Sequence, residues 1–283
     1  MCPRLFTLGP FSLPLLGEVG PFSMPTYGVL VAAGFVVGLY LLGKLAKRHG
    51  FDADKMTNLG VYVALAAIVG AKLFMILLDL DFYLRNPERL FSLSSLQAGG
   101  VFFGGLLAAI TVAFWYARRE GLPGLATADL FAPAVAIGHS IGRLGCFAAG
   151  CCWGRPTDAP WGIAFTDPAA HEFVGVPLNV HLHPTQLYEA AGTFVVGMIL
   201  WRMIERPHRP GAILGWYLVL YAGFRLFVEF FRDAASRVFP FGLPLSTTQW
   251  VAIALVVAGA WLLLGRSGAV PGAEKTAGAN LRA

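Results

Sequence analysis

The sequence predicts an all-α integral membrane protein with about seven transmembrane helices. Hydrophobic residues make up 57% of the chain and charged residues only 13%, whereas a soluble domain carries about 25% charged residues. The mean hydropathy of +0.65 agrees with this class. The apolar runs are long and do not alternate with polar residues, which favours helices over transmembrane β-strands. We therefore expect one membrane domain over residues 1–283.

Seven apolar segments are close to the roughly 20 residues that a helix needs to cross the hydrocarbon core. The first, third and seventh contain no charged residue, whereas the other four contain at least one ionisable side chain. The predicted spans are residues 24–43, 58–78, 98–117, 127–147, 184–201, 211–231 and 246–265. The longest predicted external segment, 148–183, is too short for a separate enzymatic domain, and residues 266–283 form the predicted tail.

The basic residues between the spans predict the orientation of the helices. Twelve of the 21 lysines and arginines fall in the first, third and fifth loops and in the tail, all on one side. Six fall on the other side, and three lie within spans. The positive-inside rule then places the N-terminus outside and the tail in the cytoplasm. The net charge of +5 reflects this orientation and does not indicate nucleic-acid binding.

This orientation gathers the intramembrane charges at one depth, in the outer half of the bilayer. A charge at mid-bilayer costs roughly 2.5–3.5 kcal/mol, so such residues face a cavity or a partner. The cations Lys72, Arg143 and Arg225 outnumber the anions Glu189 and Glu229. Mutual salt bridges, such as one between Arg225 and Glu229, are the simpler alternative. The excess of cations favours an anionic ligand, and guanidinium groups suit phosphate in particular.

Four polar side chains of the sixth span and its end are spaced by four, four and three residues, which places them on one helical face. They are Tyr221, Arg225, Glu229 and Arg232. A tyrosine, an arginine and a carboxylate that point into one cavity predict a clamp for a lipid head group. Arg232 adds a fourth cation near the interface.

Two histidines lie close to these charges. His139 precedes Arg143 by four residues and shares its helical face; a packed, hydrogen-bonded histidine is the alternative interpretation. His183 is followed by a proline that suits the first turn of a helix, which places His183 at the interface. Gln186 and Glu189 then lie one turn apart near the pocket. A simple capping role is the alternative for His183.

The segment AGGVFFGGLL contains glycine pairs at 99–100 and 104–105. Small residues of this kind let membrane helices pack closely. Alternatively, they open the backbone towards a head group, which is allowed only where the backbone lines a cavity. The sequence leaves both interpretations open.

Three cysteines, Cys146, Cys151 and Cys152, follow Arg143 closely. They include no Cys-x-x-Cys pair for thioredoxin-like chemistry, and no second Cys/His cluster stands at zinc-finger spacing. We therefore expect no metal ion and a structural role in the wall of the pocket. A disulfide between Cys146 and one of the other two is the alternative on an oxidising side of the membrane.

Several motifs resemble those of the bacterial prolipoprotein diacylglyceryl transferase family. The longest and most specific is GRLGCFAAGCCWGRPTD, residues 142–158. The others are MPTYGVL, AGGVFFGGLL, LHPTQLYEA and YAGFRLFVEFFR, and all occur in the family's order between residue 24 and about residue 250. The resemblance therefore covers nearly the whole chain.

The resemblance implies a fold and an activity. The family has seven helices in the bacterial plasma membrane, with the N-terminus outside and the active site towards the outer leaflet. It transfers the diacylglyceryl group of phosphatidylglycerol to the lipobox cysteine thiol of secreted prolipoproteins and releases glycerol phosphate, the first step of lipoprotein maturation. The expected partners are therefore phosphatidylglycerol, the prolipoprotein signal peptide and membrane lipid. We expect no cofactor, since the donor lipid is already activated. We also expect no nucleic-acid partner.

The resemblance also implies roles for individual residues. Arg143 resembles the arginine that binds phosphatidylglycerol. Arg225 resembles the second essential arginine, with Glu229 as its partner, and Tyr27 matches the tyrosine of the first helix. The other residues expected to bind substrate are Gly104, Gly105, Gly142, Gly145, Gly154, Gln186, Glu189, Tyr221 and Arg232.

Two departures from the family pattern leave the general base open. Some members have a histidine in the glycine motif, where GGVFFGG has none, and some have Asn and Glu where this chain has Cys146 and Cys151. The candidate bases are His139, His183 and Glu189. The arginines would also lower the pKa of the acceptor thiol, which reduces the need for a dedicated base.

Two other functions fit parts of the sequence. A membrane thiol oxidoreductase would explain the cysteines, but it needs a shuttling cysteine pair and a quinone-type partner. A transporter for an organic anion predicts charges in both leaflets and inverted repeats. Because the charges cluster in one leaflet and no such repeat is evident, we expect the transferase.

Overall fold

The computed structural model describes residues 3–9, 11–13, 17–19, 22–91, 100–233, 239 and 245–265. Most of these residues are helical. The predicted tail, 266–283, lies outside the described residues, and so do residues 98 and 99 at the start of the third predicted span.

The described part of the chain contains nine α-helices, six short strands and one 3₁₀ turn. The helices are α1 (Thr26–Arg48), α2 (Ala53–Leu78), α3 (Leu80–Arg85), α4 (Phe102–Arg119), α5 (Gly124–Ala149), α6 (Pro168–Val174), α7 (Thr185–Ile204), α8 (Ala212–Glu229) and α9 (Thr247–Leu264). The strands are β1 (Arg4–Leu8), β2 (Phe11–Leu13), β3 (Gly17–Val19), β4 (Phe22–Pro25), β5 (Ile163–Ala164) and β6 (His181–Leu182), and the 3₁₀ turn is Pro87–Phe91.

Six helices are long and apolar enough to cross a membrane, namely α1, α2, α5, α7, α8 and α9. They correspond to six of the seven predicted spans. The third predicted span corresponds to α4, which ends in Arg118 and Arg119 and is not among the six found in the described ranges. The mostly helical class is confirmed, whereas the seventh span and the orientation stay predictions.

The chain divides into two compact units. One comprises residues 39–127, in which α2 packs along α4 and the Val101 N–H donates to the Ala71 carbonyl at 3.0 Å. The other comprises residues 1–38 and 128–283, in which α8 packs against both α7 and α9. The single membrane domain expected from the sequence stays a prediction.

The segment between α5 and α7 is held by short strands and a small apolar core. Strand β5 pairs antiparallel with β6, as β1 does with β4 and β2 with β3. Phe165, Ala170, Val176 and Leu182 form a buried apolar cluster. This cluster gives the predicted external segment, 148–183, its own small core.

Asp129 of α5 fixes the start of α8. Its carboxylate accepts hydrogen bonds from the backbone N–H groups of Gly211, at 2.6 Å, and Leu214, at 2.8 Å. These N–H groups belong to a helix start, where they have no partner within the helix. Asp129 is only 1% exposed, so it acts as a buried cap that joins α5 to α8.

We expect the substitution Asp129→Ala to lower the free energy of unfolding by about 2 kcal/mol, because it leaves buried N–H groups unsatisfied. Thermal unfolding of the purified protein in detergent measures this change. The matched control is Asp158→Ala, since Asp158 is exposed. Equal unfolding temperatures for the two variants would show that Asp129 does not stabilise α8.

Candidate active site

A glutamate on α7 lies between two arginines on neighbouring helices. Glu189 Oε2 is 2.6 Å from Nη2 of Arg143 on α5. Glu189 Oε1 is 3.9 Å from Nε of Arg225 on α8. The three residues are far apart in the sequence, so the cluster is created by the packing of α5, α7 and α8.

A second carboxylate holds Arg225 from the other side. Glu229, one helical turn after Arg225, accepts a hydrogen bond from its Nη1 at 2.7 Å. The other oxygen of Glu229 accepts a hydrogen bond from the Ser246 hydroxyl at 2.9 Å. Ser246 also caps α9, because its hydroxyl accepts from the Gln249 N–H at 3.3 Å. The predicted Arg225–Glu229 salt bridge is thus present, and it is anchored to the start of α9.

The accessible part of this cluster is cationic although its charges balance. The side chains of Glu189 and Glu229 are each 2% exposed. Those of Arg143 and Arg225 are 18% and 12% exposed. The carboxylates are therefore covered, and the guanidinium groups are what a ligand reaches. Planar guanidinium groups suit the oxygens of a phosphate.

Lys72, which the charge pattern of the sequence groups with the two arginines, lies on α2 in the other compact unit. Lys72 and Gly105 line a groove of about 550 Å³ between α2 and α4. At the arginines themselves, the cationic character of the accessible surface comes from the unequal burial of the four side chains.

His139 orients Arg143. The Nε of Arg143 donates a hydrogen bond to Nε2 of His139 at 3.1 Å. Because a guanidinium group can only donate, Nε2 must be the acceptor, which assigns a neutral imidazole with its proton on Nδ1. The imidazole ring also packs near Tyr221, with ring centroids 5.6 Å apart. His139 cannot take a proton on Nε2 while it holds Arg143 in this way.

The chain turns back on itself directly after α5. Gly150 has a φ of +79°, in the left-handed region, and the Cys151 N–H donates to the Cys146 carbonyl at 3.1 Å. This is the hydrogen-bond pattern of a helix end closed by glycine. It returns Cys151 to the last turn of α5, beside Cys146.

Two buried side chains of α7 hold the loop that follows. The Gln186 amide donates to the Cys151 carbonyl at 2.6 Å, and the Thr185 hydroxyl donates to the Cys152 carbonyl at 2.7 Å. Both Gln186 and Thr185 are 0% exposed. Gln186 therefore supports the loop in the structure and does not present its side chain to an open pocket.

The loop brings the three cysteines together. The sulfur atoms of Cys146, Cys151 and Cys152 all lie within 4.8 Å of one another. All three are free thiols and are partly buried, so the alternative of a disulfide among them is not realised. Cys152 has a φ of +62°, a conformation that a residue other than glycine adopts only where its surroundings hold it.

His183 is held by a chain of hydrogen bonds in the same loop region. The indole N–H of Trp161 donates to the Tyr188 hydroxyl at 2.8 Å, and this hydroxyl lies 3.0 Å from Nδ1 of His183. The Tyr188 hydroxyl can then donate its own proton to His183. Burial lowers the pKa of His183 below its usual value, and nearby Arg155 lowers it further, so the ring is neutral at pH 7.

Backbone contacts around Gly154 join the loop to the ends of α7 and α8. The Gly154 N–H donates to the His183 carbonyl at 3.0 Å, and the Arg155 N–H donates to the Phe231 carbonyl at 2.9 Å. A Cβ on Gly154 would lie only 2.5 Å from the Phe231 carbonyl oxygen. Gly154 is thus required for close approach of three backbone segments.

Arg232 is not on the helical face predicted for it. Helix α8 ends at Glu229, and Arg232 forms an isolated β-bridge with Gly154. Its position is therefore set by the loop and not by helical periodicity. Tyr221, Arg225 and Glu229 do lie within α8, as the sequence predicted.

The remaining predicted residues divide between the two units. Gly145 packs against the first turn of α1, where an added Cβ would lie 3.2 Å from the Tyr27 carbonyl oxygen, whereas one on Gly142 would meet no described atom within 4 Å. Tyr27 itself is 44% exposed. Gly104 and Gly105 are buried on α4 in the other unit and pack against α2, which supports the packing interpretation of the glycine motif. Gly99 lies outside the described residues.

Sequence reasoning missed several residues that hold the site, and for two of them a signal existed. The run Ser246 to Gln249 has the pattern of a helix capping box. Thr185 and Tyr188 gave no such signal, because their partners Cys152 and His183 are brought near only by the loop.

Comparison with known proteins identifies the family. A family model described as prolipoprotein diacylglyceryl transferase matches residues 14–265. The phosphatidylglycerol–prolipoprotein diacylglyceryl transferase of Clostridium tetani is 32% identical over 248 residues, which cover 87% of this chain and 94% of the relative. The protein of the same name from Vibrio campbellii is 33% identical over 270 residues, which cover 93% of this chain and 89% of the relative. Since these matches include all six apolar helices, the chain is a multi-pass membrane protein that belongs to the prolipoprotein diacylglyceryl transferase family.

Proposed function

We propose that this protein transfers the diacylglyceryl group of phosphatidylglycerol to the thiol of a prolipoprotein lipobox cysteine, the first step of bacterial lipoprotein maturation. The relatives carry this activity in their names. The observation in the structure that supports it best is the pair of arginines whose carboxylate partners are buried beneath them. The donor lipid has one phosphodiester, which is the anion that such a pair suits.

The proposed setting is the bacterial plasma membrane. Seven helices cross it as one membrane domain, with α4 as the third, the N-terminus outside and the tail in the cytoplasm. The support for this orientation is the distribution of Lys and Arg between the loops. In this orientation the arginine pair faces the outer leaflet, where a secreted prolipoprotein presents its signal peptide next to membrane lipid.

The two arginines bind and stabilise the phosphate. Glu189 and Glu229 fix the guanidinium groups of Arg143 and Arg225 before the substrate arrives, so little reorganisation accompanies the reaction. A prearranged donor of this kind contributes about 3–4 kcal/mol to the stability of a charged transition state. We expect the remainder of the donor site to be shaped by Tyr27, Gly142, Gly145, Gly154, Tyr221 and Arg232, while Gln186 holds the neighbouring loop.

The reaction is a displacement at a saturated carbon. The acceptor sulfur forms a bond to the glyceryl carbon that carries the phosphate ester. The carbon–oxygen bond breaks, and its electron pair leaves with glycerol phosphate. The thiol, with an ordinary pKa of about 8.5, must lose its proton. His183 is neutral and remains a candidate base, whereas the hydrogen bond from Arg143 to His139 makes His139 a positioning residue.

The function is tested with purified protein in detergent, phosphatidylglycerol and a synthetic lipobox peptide. We expect the peptide to gain the mass of one diacylglyceryl group, together with release of glycerol phosphate. Arg143→Ala should lower kcat about 10²–10³-fold, because a prearranged donor to the phosphate is lost.

Two controls make this result specific. A peptide with serine in place of the lipobox cysteine should gain no mass. Arg202→Ala removes an exposed arginine from the far end of α7 and should retain full activity. Absence of transfer by folded wild-type protein that binds both substrates would refute the proposed function.

The assignment of His139 as a positioning residue is tested separately. His139→Phe removes the acceptor for Arg143 Nε and should lower transfer about 10- to 100-fold, since a hydrogen bond to a charged group is worth about 1.5–3 kcal/mol. His139→Gln supplies an amide oxygen as acceptor and should restore most of this loss, with the pH profile of the wild type. If the two variants are equally inactive, His139 acts as a base and not through Arg143.

A further inference from the structure

The three cysteines form a compact set of sulfur ligands that the proposed reaction has not used. Their sulfur atoms lie within 4.8 Å of one another. In a tetrahedral zinc site, with Zn–S bonds of about 2.3 Å, sulfur atoms stand about 3.8 Å apart. A contraction of about 1 Å or less at any pair would therefore bring these cysteines to zinc-binding distance. Side-chain rotation alone can supply such a shift.

The cluster is held in place from several directions. The closed end of α5 returns Cys151 to Cys146, and the thiol of Cys151 donates to the Cys146 carbonyl at 3.7 Å. Gln186 and Thr185, both fully buried, hold the carbonyls of Cys151 and Cys152. Cys152 keeps a left-handed backbone conformation. Such support keeps the three ligands prearranged, which is what a metal site requires of its surroundings.

The donor set selects the kind of metal. Three sulfur ligands favour zinc and other thiophilic cations over magnesium, calcium or manganese. A zinc ion with three protein ligands retains a fourth tetrahedral position, as catalytic zinc sites do. The intervals between the three cysteines match no zinc motif along the chain, but the fold brings their sulfur atoms together.

The cluster also lies beside the phosphate-binding residues. Cys146 follows Arg143 by one helical turn on α5, so their side chains are neighbours. On α7, Gln186 holds the cysteine loop one turn before Glu189, which holds Arg143. The same two helices therefore support the sulfur cluster and the arginine that would contact the phosphate.

We propose that Cys146, Cys151 and Cys152 bind Zn²⁺ as a three-thiolate site whose fourth position takes the acceptor thiol. This inference rests on the proposed function for its catalytic part. Binding to the metal releases the thiol proton to water. The bound sulfur then forms the bond to the glyceryl carbon, the carbon–oxygen bond breaks, and the electron pair departs with glycerol phosphate on the arginines. The acceptor is thereby activated without a side-chain base.

Metal content is measured first, independently of activity. The full chain, grown with added zinc and purified through a tag without histidine under a phosphine reductant, should contain one zinc ion per chain. Cys146→Ser, Cys151→Ser, Cys152→Ser and the triple variant should lose it. Ala149→Ser, which places a hydroxyl in the same turn, should keep it. Thermal unfolding in detergent shows that each variant is folded.

The role of the metal is then tested with cobalt in place of zinc. Thiolate-to-cobalt absorption should change when the lipobox peptide is added, and should not change with the peptide that has serine in place of cysteine. Each Cys→Ser variant should lose at least about tenfold in transfer rate. A strong chelator should abolish transfer by the wild type, and added zinc, but not magnesium, should restore it.

The outcomes separate this inference from the proposed function. Wild-type protein that transfers at full rate without zinc, or a folded triple variant that stays active, would overturn the metal site and leave the transferase intact. A disulfide among the three cysteines in active protein would do the same. Protein that binds zinc and both substrates but transfers nothing would refute the proposed function, and the catalytic role of the metal with it.

Discussion

The burial of Glu189 between two arginines is the interaction on which the rest of the site depends. A carboxylate removed from water loses several kcal/mol of solvation, which only close, well-oriented cations can return. Here the cations come from α5 and α8, and Glu189 comes from α7. The charge balance therefore fixes three helices relative to one another at one depth. Any shift of α7 along its axis would leave a buried charge without its partner.

Within the cluster, the buried carboxylates balance the charge, and the more exposed arginines are the groups that could contact a ligand. The carboxylates lie beneath the arginines and satisfy them. His139 and Ser246 fix the two ends of this arrangement, one through Arg143 and the other through Glu229. In the proposed function, a phosphate meets guanidinium groups that are already held in position. The proposed preference for an anion therefore rests on the deeper burial of the carboxylates than of the arginines.

Sequence periodicity predicted the contacts within helices but not those between them. The pairs His139–Arg143 and Arg225–Glu229 are each four residues apart, and helical geometry alone brings them together. The contact of Arg143 with Glu189 depends on how α5 packs against α7, which no local pattern encodes. Arg232 failed the periodicity argument because the helix ends at Glu229.

The cysteines show why spacing along a chain is a poor guide at a helix end. Metal and redox motifs are recognised by short fixed intervals, which assume a regular turn between the ligands. At Gly150 the chain reverses its direction. Cys151, five positions after Cys146, therefore lies beside the last turn of α5, which contains Cys146. Cys146 and Cys151 then become neighbours although their separation in the sequence matches no known metal or redox motif.

Helix α7 couples the cysteine loop to the arginine. Because Gln186 holds this loop and Glu189 holds Arg143, a movement of α7 would displace the cysteines and the arginine together. The proposed metal site and the proposed phosphate-binding arginine would thus keep a fixed separation.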